Sequence, residues 1–283
     1  MGRSVVALTF LALVTVVARP AGSESDALAR PMVTVDSLPL PISTAILSEP
    51  DRARAESVLS HEIFAQRVTG IRYRSREAVF EFLLDHPDFA ASVARALRLG
   101  QYQVDRVGDE YVGDDARGAR GVVRLLYADP GRRLYHLEGR YDANGLPSIA
   151  GEMLVLLEYR HEDDGTGSTV VDSSLTGHVK IDTPGVGLLA GVLTGLARPV
   201  VTRAVEQKVR RFFHIVARVS RWAYDEPDEF FAALEGNPAV PQGETLAAFS
   251  RILLADRPPA WARELYQLSP VPLALDPPVL DGS

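Results

Sequence analysis

The chain contains no cysteine, only two tryptophans and three methionines, and no excess of basic residues. Without cysteine there can be no disulfide, no thiolate metal ligand and no cysteine-linked lipid anchor. At 283 residues the chain is long enough to bury a sizeable core without such staples. A net charge of −7 argues against nucleic acid as a partner, because binding it needs a basic footprint. No apolar run reaches the roughly 20 residues that cross a bilayer. Several catalytic signatures are also missing. The sequence has no G-x-S-x-G, no H-E-x-x-H and no phosphate-binding Walker loop. It points to no cofactor and no metal.

What is present begins with an export signal. Arg3 precedes an apolar run from Val5 to Val17, and Ala21-Gly22-Ser23 follows. A basic start, a short apolar stretch and small residues before the cut describe a secretory signal peptide over residues 1–23. Cleavage there removes two basic residues, Arg3 and Arg19, and takes the net charge from −7 to −9. The expected location is periplasmic or extracellular. Residues 24–67 are rich in proline at first (Pro31, Pro39, Pro41, Pro50), which reads as a linker. Helical character follows over Asp51 to Phe64, and Ser48-x-x-Asp51 resembles a capping box.

The block from residue 68 to 224 carries the strongest pattern. Ile71 to Ser75 reads as a strand. A helix capped by Ser75 follows, broken at His86-Pro87 because a residue before proline avoids the α region. A second helix runs to Leu99 and stops at Gly100. Strands are then expected over Gln101–Val107, Glu110–Gly113, Gly118–Ala128, Arg133–Asp142, Ser148–His161 and Gly167–Asp182. Their connections are rich in Asp, Asn and Gly, for example Asp129-Pro130-Gly131 and Asp142-Ala143-Asn144-Gly145. Such residues supply tight turns, and short connections impose an antiparallel meander.

Alternation within these strands predicts one apolar and one mostly wet face. Leu137, Val155, Leu157, Leu175 and Val179 fall on the apolar side; Glu138, Asp172, Ser174 and His178 fall on the other. The strand holding Met153 is apolar on both faces, so a further element should cover its second side. Arg124 and Glu152 are candidates to pair across strands.

Gly185 to Ala223 reads as one long helix after Thr183-Pro184. Stepped at about 100° per residue, Val201, Val205, Val209, Phe212, Val216 and Val219 share one side; Arg203, Arg210, Arg218 and Arg221 share the other. Gly187, Gly191 and Gly195 recur at four-residue spacing. Leu188, Leu189, Val192, Leu193 and Leu196 then fan away from the sheet. They are either packed under a flanking extension or form an apolar lid capable of superficial membrane contact. Beyond Tyr224, residues 225–283 read as an extension, with short helices at Phe230–Leu234, Glu244–Leu254 and Pro259–Leu268 before a Pro-rich tail.

The stretch Tyr73-Arg74-Ser75-Arg76-Glu77-Ala78-Val79-Phe80-Glu81-Phe82-Leu83-Leu84-Asp85-His86-Pro87-Asp88 resembles the opening of START-like domains, the lipid-transfer and polyketide cyclase/dehydrase superfamily. In that superfamily a strand leads into two helices, a strand meander and a long C-terminal helix. The resemblance covers roughly residues 68–224. It implies an α+β helix-grip fold, a curved antiparallel sheet wrapped around the long helix with flanking helical and extended segments. It also implies an apolar tunnel between sheet and helix.

Residues expected on the tunnel wall are Tyr127, Tyr135, Leu137, Tyr141, Met153, Val155 and Leu157 from the sheet, with Tyr159, Ser173 and Leu175. Val205, Val209, Phe212 and Val216 join them from the helix. The tyrosine hydroxyls and Ser173 are the polar groups able to orient a headgroup. Asp172, Ser174 and His178 do not suggest a triad, because they belong to the wet face. Glu110 and His161 are the acid–base candidates for a rim, and His161-Glu162-Asp163-Asp164 reads more simply as a charged hairpin than as a cation site. The expected function is the binding of an apolar small molecule such as a lipid, isoprenoid or sterol-like compound. The alternatives are a cyclase or dehydratase on the same fold, or a non-catalytic interaction module with a filled core. No protein partner is identifiable.

Overall fold

The computed structural model describes residues 32–34, 38–116, 118–142, 148–163, 169–182 and 215–255. It is an α+β structure built on one open antiparallel sheet. The strands are β1 (Met32–Thr34), β2 (Phe64–Arg74), β3 (Gln103–Val107), β4 (Glu110–Asp114), β5 (Ala119–Asp129), β6 (Arg132–Tyr141), β7 (Ile149–Asp163) and β8 (Thr169–Ile181). Their order is β1-β2-β8-β7-β6-β5-β4-β3. Strands β3 to β8 are therefore a meander, and β8 closes back on β2.

The meander strands lie within two residues of where alternation and turn chemistry predict them, because each is bounded by residues that cannot continue a ladder. Gly131, for instance, turns β5 into β6 with φ of 92°. The first strand is longer than its apolar core suggests, beginning at Phe64 rather than Ile71. A bulge between Val68 and Ile71 interrupts its pairing with β8, and that irregularity hides the alternation.

Helix α1 (Glu49–Ser60) is capped as its sequence predicts. Ser48 Oγ accepts from the Asp51 amide at 3.4 Å and donates to Asp51 Oδ2 at 2.6 Å. Helices α2 (Glu77–Asp85) and α3 (Pro87–Ala96) meet at His86-Pro87. Ser75 does not cap α2. Arg76 holds the N-cap position, and the Ser75 hydroxyl instead donates to the Arg76 carbonyl. The left-handed residue after α3 is Arg98 (φ 56°), with amides of residues 97–100 closing the helix end, so Gly100 is not the stop.

The expected long helix is described over 215–225, here α4; the rest of it, including Gly185 to His214, lies outside the described residues. Helices α5 (Pro227–Leu234) and α6 (Glu244–Ala255) follow. These two fall where apolar spacing predicts them, and the third expected helix, Pro259–Leu268, lies outside the described residues.

Among the described residues three large apolar clusters and one small one, around Ala91 and Val104, result. On the inner sheet face, Leu137, Met153, Val155, Leu175 and Val179 pack with Phe80 of α2. On the outer face, Leu134, Leu154 and Leu156 are fully buried against Ala55 and Val58 of α1. The second apolar side of the Met153 strand is thus covered by α1, and the outer face is not uniformly wet. His136, Thr176 and His178 are buried there too. The third cluster is helical: Phe82 and Phe89 meet Val219, Phe230, Phe249 and Leu253.

Candidate functional site

An apolar cavity of about 270 Å3 lies between the inner sheet face and the helices. Strands contribute Val123, Tyr135, Leu137, Val155, Leu157 and Leu175. Helices α2 and α3 contribute Phe80, Leu83, Leu84, Ala91 and Ala94, and α4 contributes Ile215, Val216, Val219 and Ser220. The helical spacing of Phe80, Leu83 and Leu84 turns them to one side of α2, and His86-Pro87 lets α3 lie against the same space. Among the described residues no charged side chain lines this cavity.

Of the residues expected on the wall, Tyr135, Leu137, Val155, Leu157, Leu175 and Val216 line the cavity. Met153 is buried in the sheet core and does not reach it. Tyr141 packs at the edge of that core. Ser173 spends its hydroxyl on the Ile71 carbonyl at 3.2 Å. Tyr159 donates to Glu81 Oε2 at 3.1 Å and lies behind Phe80, its ring 5.0 Å from the Phe80 centroid. Tyr127 is on the opposite face. A bulge between Leu125 and Tyr127 shifts the register by one, so Tyr127 pairs with outer-facing Leu134 and its hydroxyl donates to Asp129 at 2.8 Å. Val205, Val209 and Phe212 lie outside the described residues, as do Leu188, Leu189, Val192, Leu193 and Leu196.

Sequence reasoning missed four hydroxyl-bearing lining residues, Tyr73, Tyr102, Tyr111 and Ser220. Ser220 is 2% exposed, and its Oγ has no hydrogen-bond partner. Burial raises the pKa of both Tyr73 and Tyr135, opposed at Tyr135 by the Arg133 charge, so both stay protonated. Tyr111, also on the wall, is already committed, donating to the Asp85 carbonyl at 3.0 Å. The helical period of α4 was readable, but a lone serine at one position of it carries no signal until its neighbours are placed.

An ionic cluster sits behind Phe80. Arg133 donates to Asp85 Oδ1 at 2.5 Å and to Glu81 Oε2 at 2.7 Å. Burial works against the Arg133 charge, yet hydrogen bonds with Tyr159, Asp85 and Glu81 hold its pKa above the usual range. His161 packs edge-on against Phe80 and Tyr159, with Nε2 3.8 Å from Glu81 Oε1 and neither ring nitrogen hydrogen-bonded.

The remaining candidates are occupied elsewhere. Glu110 pairs with Arg124 at 2.5 Å, and Arg124 also takes Glu138, so the expected Arg124–Glu152 pair does not form. Glu152 instead meets Lys180 and His136. Asp172 is held by Arg160, Ser174 donates to Glu158, and His178 Nδ1 is 2.7 Å from Glu62. Glu162 pairs with Arg72 and Arg160. Among the described residues, no three acidic or imidazole groups converge to hold a metal ion.

No family model matches the sequence, and no curated protein matches it significantly. Among solved structures, the chain is similar to a conserved protein from Geobacillus kaustophilus at 12% identity and a TM-score of 0.29. That alignment covers 50% of this chain and 91% of the other. It is similar to TTHA0849 from Thermus thermophilus at 16% identity and a TM-score of 0.27, covering 53% and 94%.

Proposed function

We propose that this is an exported binding protein that carries or senses an apolar small molecule, held between the sheet and the helices of a START-like helix-grip domain. The observation that carries the reading is the cavity of about 270 Å3 with an almost wholly apolar wall. An apolar cavity of about 150 Å3 takes one benzene, so this space suits a molecule of about two rings or a short acyl or prenyl chain. The strand order supports the START-like resemblance. Strand β2 and helices α2 and α3 lead into a meander whose last strand, β8, returns to β2, and α4 supplies the helical wall. Catalysis of the cyclase type would need an acid–base group on the wall. The wall, among the described residues, offers tyrosine and serine hydroxyls and no carboxylate or imidazole, and burial keeps Tyr73 and Tyr135 from acting as bases, which favours binding.

Native mass spectrometry of protein purified from its own source tests this reading. A mass excess released by organic solvent is the expected result, and Val216→Phe, which fills the cavity, should abolish it. Bare wild-type protein that also binds no apolar probe would overturn the reading.

Export rests on Val5 to Val17 and Ala21-Gly22-Ser23. The N-terminus of the mature protein should begin near Glu24, and a cytoplasmic product retaining Met1 would refute it. For the segment with Leu188, Leu189, Val192, Leu193 and Leu196, which lies outside the described residues, two readings stand: packing under a flanking extension, or a lid that touches a membrane superficially during ligand exchange. Leu189→Asp combined with Leu193→Asp should lower transfer to liposomes while the fold survives; unchanged transfer removes the lid.

A further inference from the structure

We propose that the cavity selects an uncharged apolar molecule bearing a hydrogen-bonding oxygen, such as an alcohol, ketone or quinone, and rejects the corresponding carboxylate. This deepens the binding function proposed above and rests on it. The decisive group is Ser220. It lines the cavity from α4, is 2% exposed, and its Oγ makes no hydrogen bond. A serine within a helix ordinarily donates to the carbonyl four residues earlier, here that of Val216. Ser220 does not. A buried hydroxyl left without a partner is costly, and native structures rarely keep one unless something outside the protein satisfies it.

Tyr73 and Tyr135 add two further hydroxyls on the same wall, neither hydrogen-bonded to a described residue. Because burial holds both protonated, each is a neutral donor near pH 7. Among the described residues, the wall therefore presents oxygen-directed hydrogen bonds and no compensating positive charge. The cation next along β6, Arg133, faces Glu81 and Asp85 and is neutralised by them. A carboxylate entering the cavity would lose its hydration and find no free cation among the described residues, which strongly disfavours it. A purely hydrocarbon ligand would fit the volume and leave Ser220 unsatisfied.

A matched series separates these cases: naphthalene, 1-naphthol and 1-naphthoate, each about two rings in size and titrated calorimetrically into the purified full chain at pH 7. The expected order is 1-naphthol tighter than naphthalene by about 2- to 12-fold, the yield of one neutral hydrogen bond. Naphthoate should be weaker than 1-naphthol by at least about tenfold. Ser220→Ala should bring 1-naphthol down to the level of naphthalene and leave naphthalene unchanged. Tyr135→Phe is the second variant, should the phenol prefer that donor, and thermal melts establish that both fold. Naphthoate binding as tightly as 1-naphthol, or a preference for 1-naphthol that survives both substitutions, overturns this inference while the apolar site stands. Failure of all three compounds, naphthalene included, overturns the binding function and this inference with it.

Discussion

Arg132 and Arg133 are adjacent in sequence and opposite in environment. The Arg133 side chain is 8% exposed and ties two carboxylates of α2 to the sheet; Arg132 is 42% exposed and pairs only with Asp129 three residues away. Arg133→Met should cost about 3 kcal/mol, the lower end for breaking a buried pair, because Glu81 and Asp85 are partly exposed and can rehydrate. Arg132→Met should cost less than about 1 kcal/mol. Urea unfolding of the two variants checks the contrast.

His136 sets a pH dependence at the same scale. Its Nε2 is 2.9 Å from Glu152 Oε2, and its Nδ1 has no partner. The neutral ring donates from Nε2; a second proton would sit on Nδ1, buried without an acceptor. Burial thus lowers the His136 pKa below 6.5, against the pull of Glu152. The unfolded chain takes up this proton first, so stability is level above about pH 7 and falls as pH drops below 6.5. Burial raises the Glu152 pKa, but hydrogen bonds from Lys180 and His136 outweigh it and hold the carboxyl below 4.5. Its contribution is complete above 4.5 and is lost as pH falls through the lower folded value. Unfolding midpoints against pH should show both declines, and His136→Gln should flatten the upper one.

At the scale of elements, the sheet depends on a row of glycines. Gly113, Gly121, Gly139 and Gly151 face one another across β4, β5, β6 and β7. A Cβ at Gly139 would lie 2.4 Å from the Arg120 carbonyl oxygen and 2.6 Å from Gly121 Cα. The strand backbones approach too closely for any side chain, as expected where a sheet bends sharply. Gly139→Val should cost about 1–3 kcal/mol through a forced backbone shift. Gly108 in the β3–β4 turn has a φ of 65° and open space around it, so Gly108→Ala should cost about 1–2 kcal/mol, from the left-handed backbone alone. Chemical denaturation of both variants decides the ranking. The same elements show where period-two reasoning stops. It aligns Val123, Leu125 and Tyr127 on one face, but one bulge sends Tyr127 to the other.

For the whole molecule, the C-terminal helices are part of the main core. Phe230, Leu234, Phe249 and Leu253 are fully buried against α2, α3 and α4. Arg76 joins this assembly, donating to the Leu253 carbonyl at 2.6 Å and to the Ala223 carbonyl at 3.0 Å. Both carbonyls lie at helix C-termini, where a positive charge is favourable. At about 2 kcal/mol per buried side chain, these four residues contribute about 8 kcal/mol, comparable with the total stability of an ordinary domain. A chain ending at Tyr224 should therefore lose its cooperative thermal transition and expose Val79, Phe82 and Phe89. A sharp calorimetric transition in that truncated chain would contradict this role.

The positions of the meander strands, the α1 cap, the break at His86-Pro87 and the two described C-terminal helices were legible in the sequence, because each depends on neighbours within a turn or a period; β1 and the start of β2 were not. The inner-face residues Leu137, Val155, Leu157 and Leu175 were legible for the same reason, since uninterrupted alternation needs no partner strand to reveal it. Tertiary structure alone decided that α1 covers Leu154 and Leu156, that Arg124 takes Glu110 and Glu138, and that Tyr127 leaves the cavity face. It alone brought Tyr73 and Ser220 to the same apolar wall, from positions 147 residues apart. Those outcomes turn on a one-residue bulge and on contacts between distant segments, and neither leaves a local periodicity for the sequence to display.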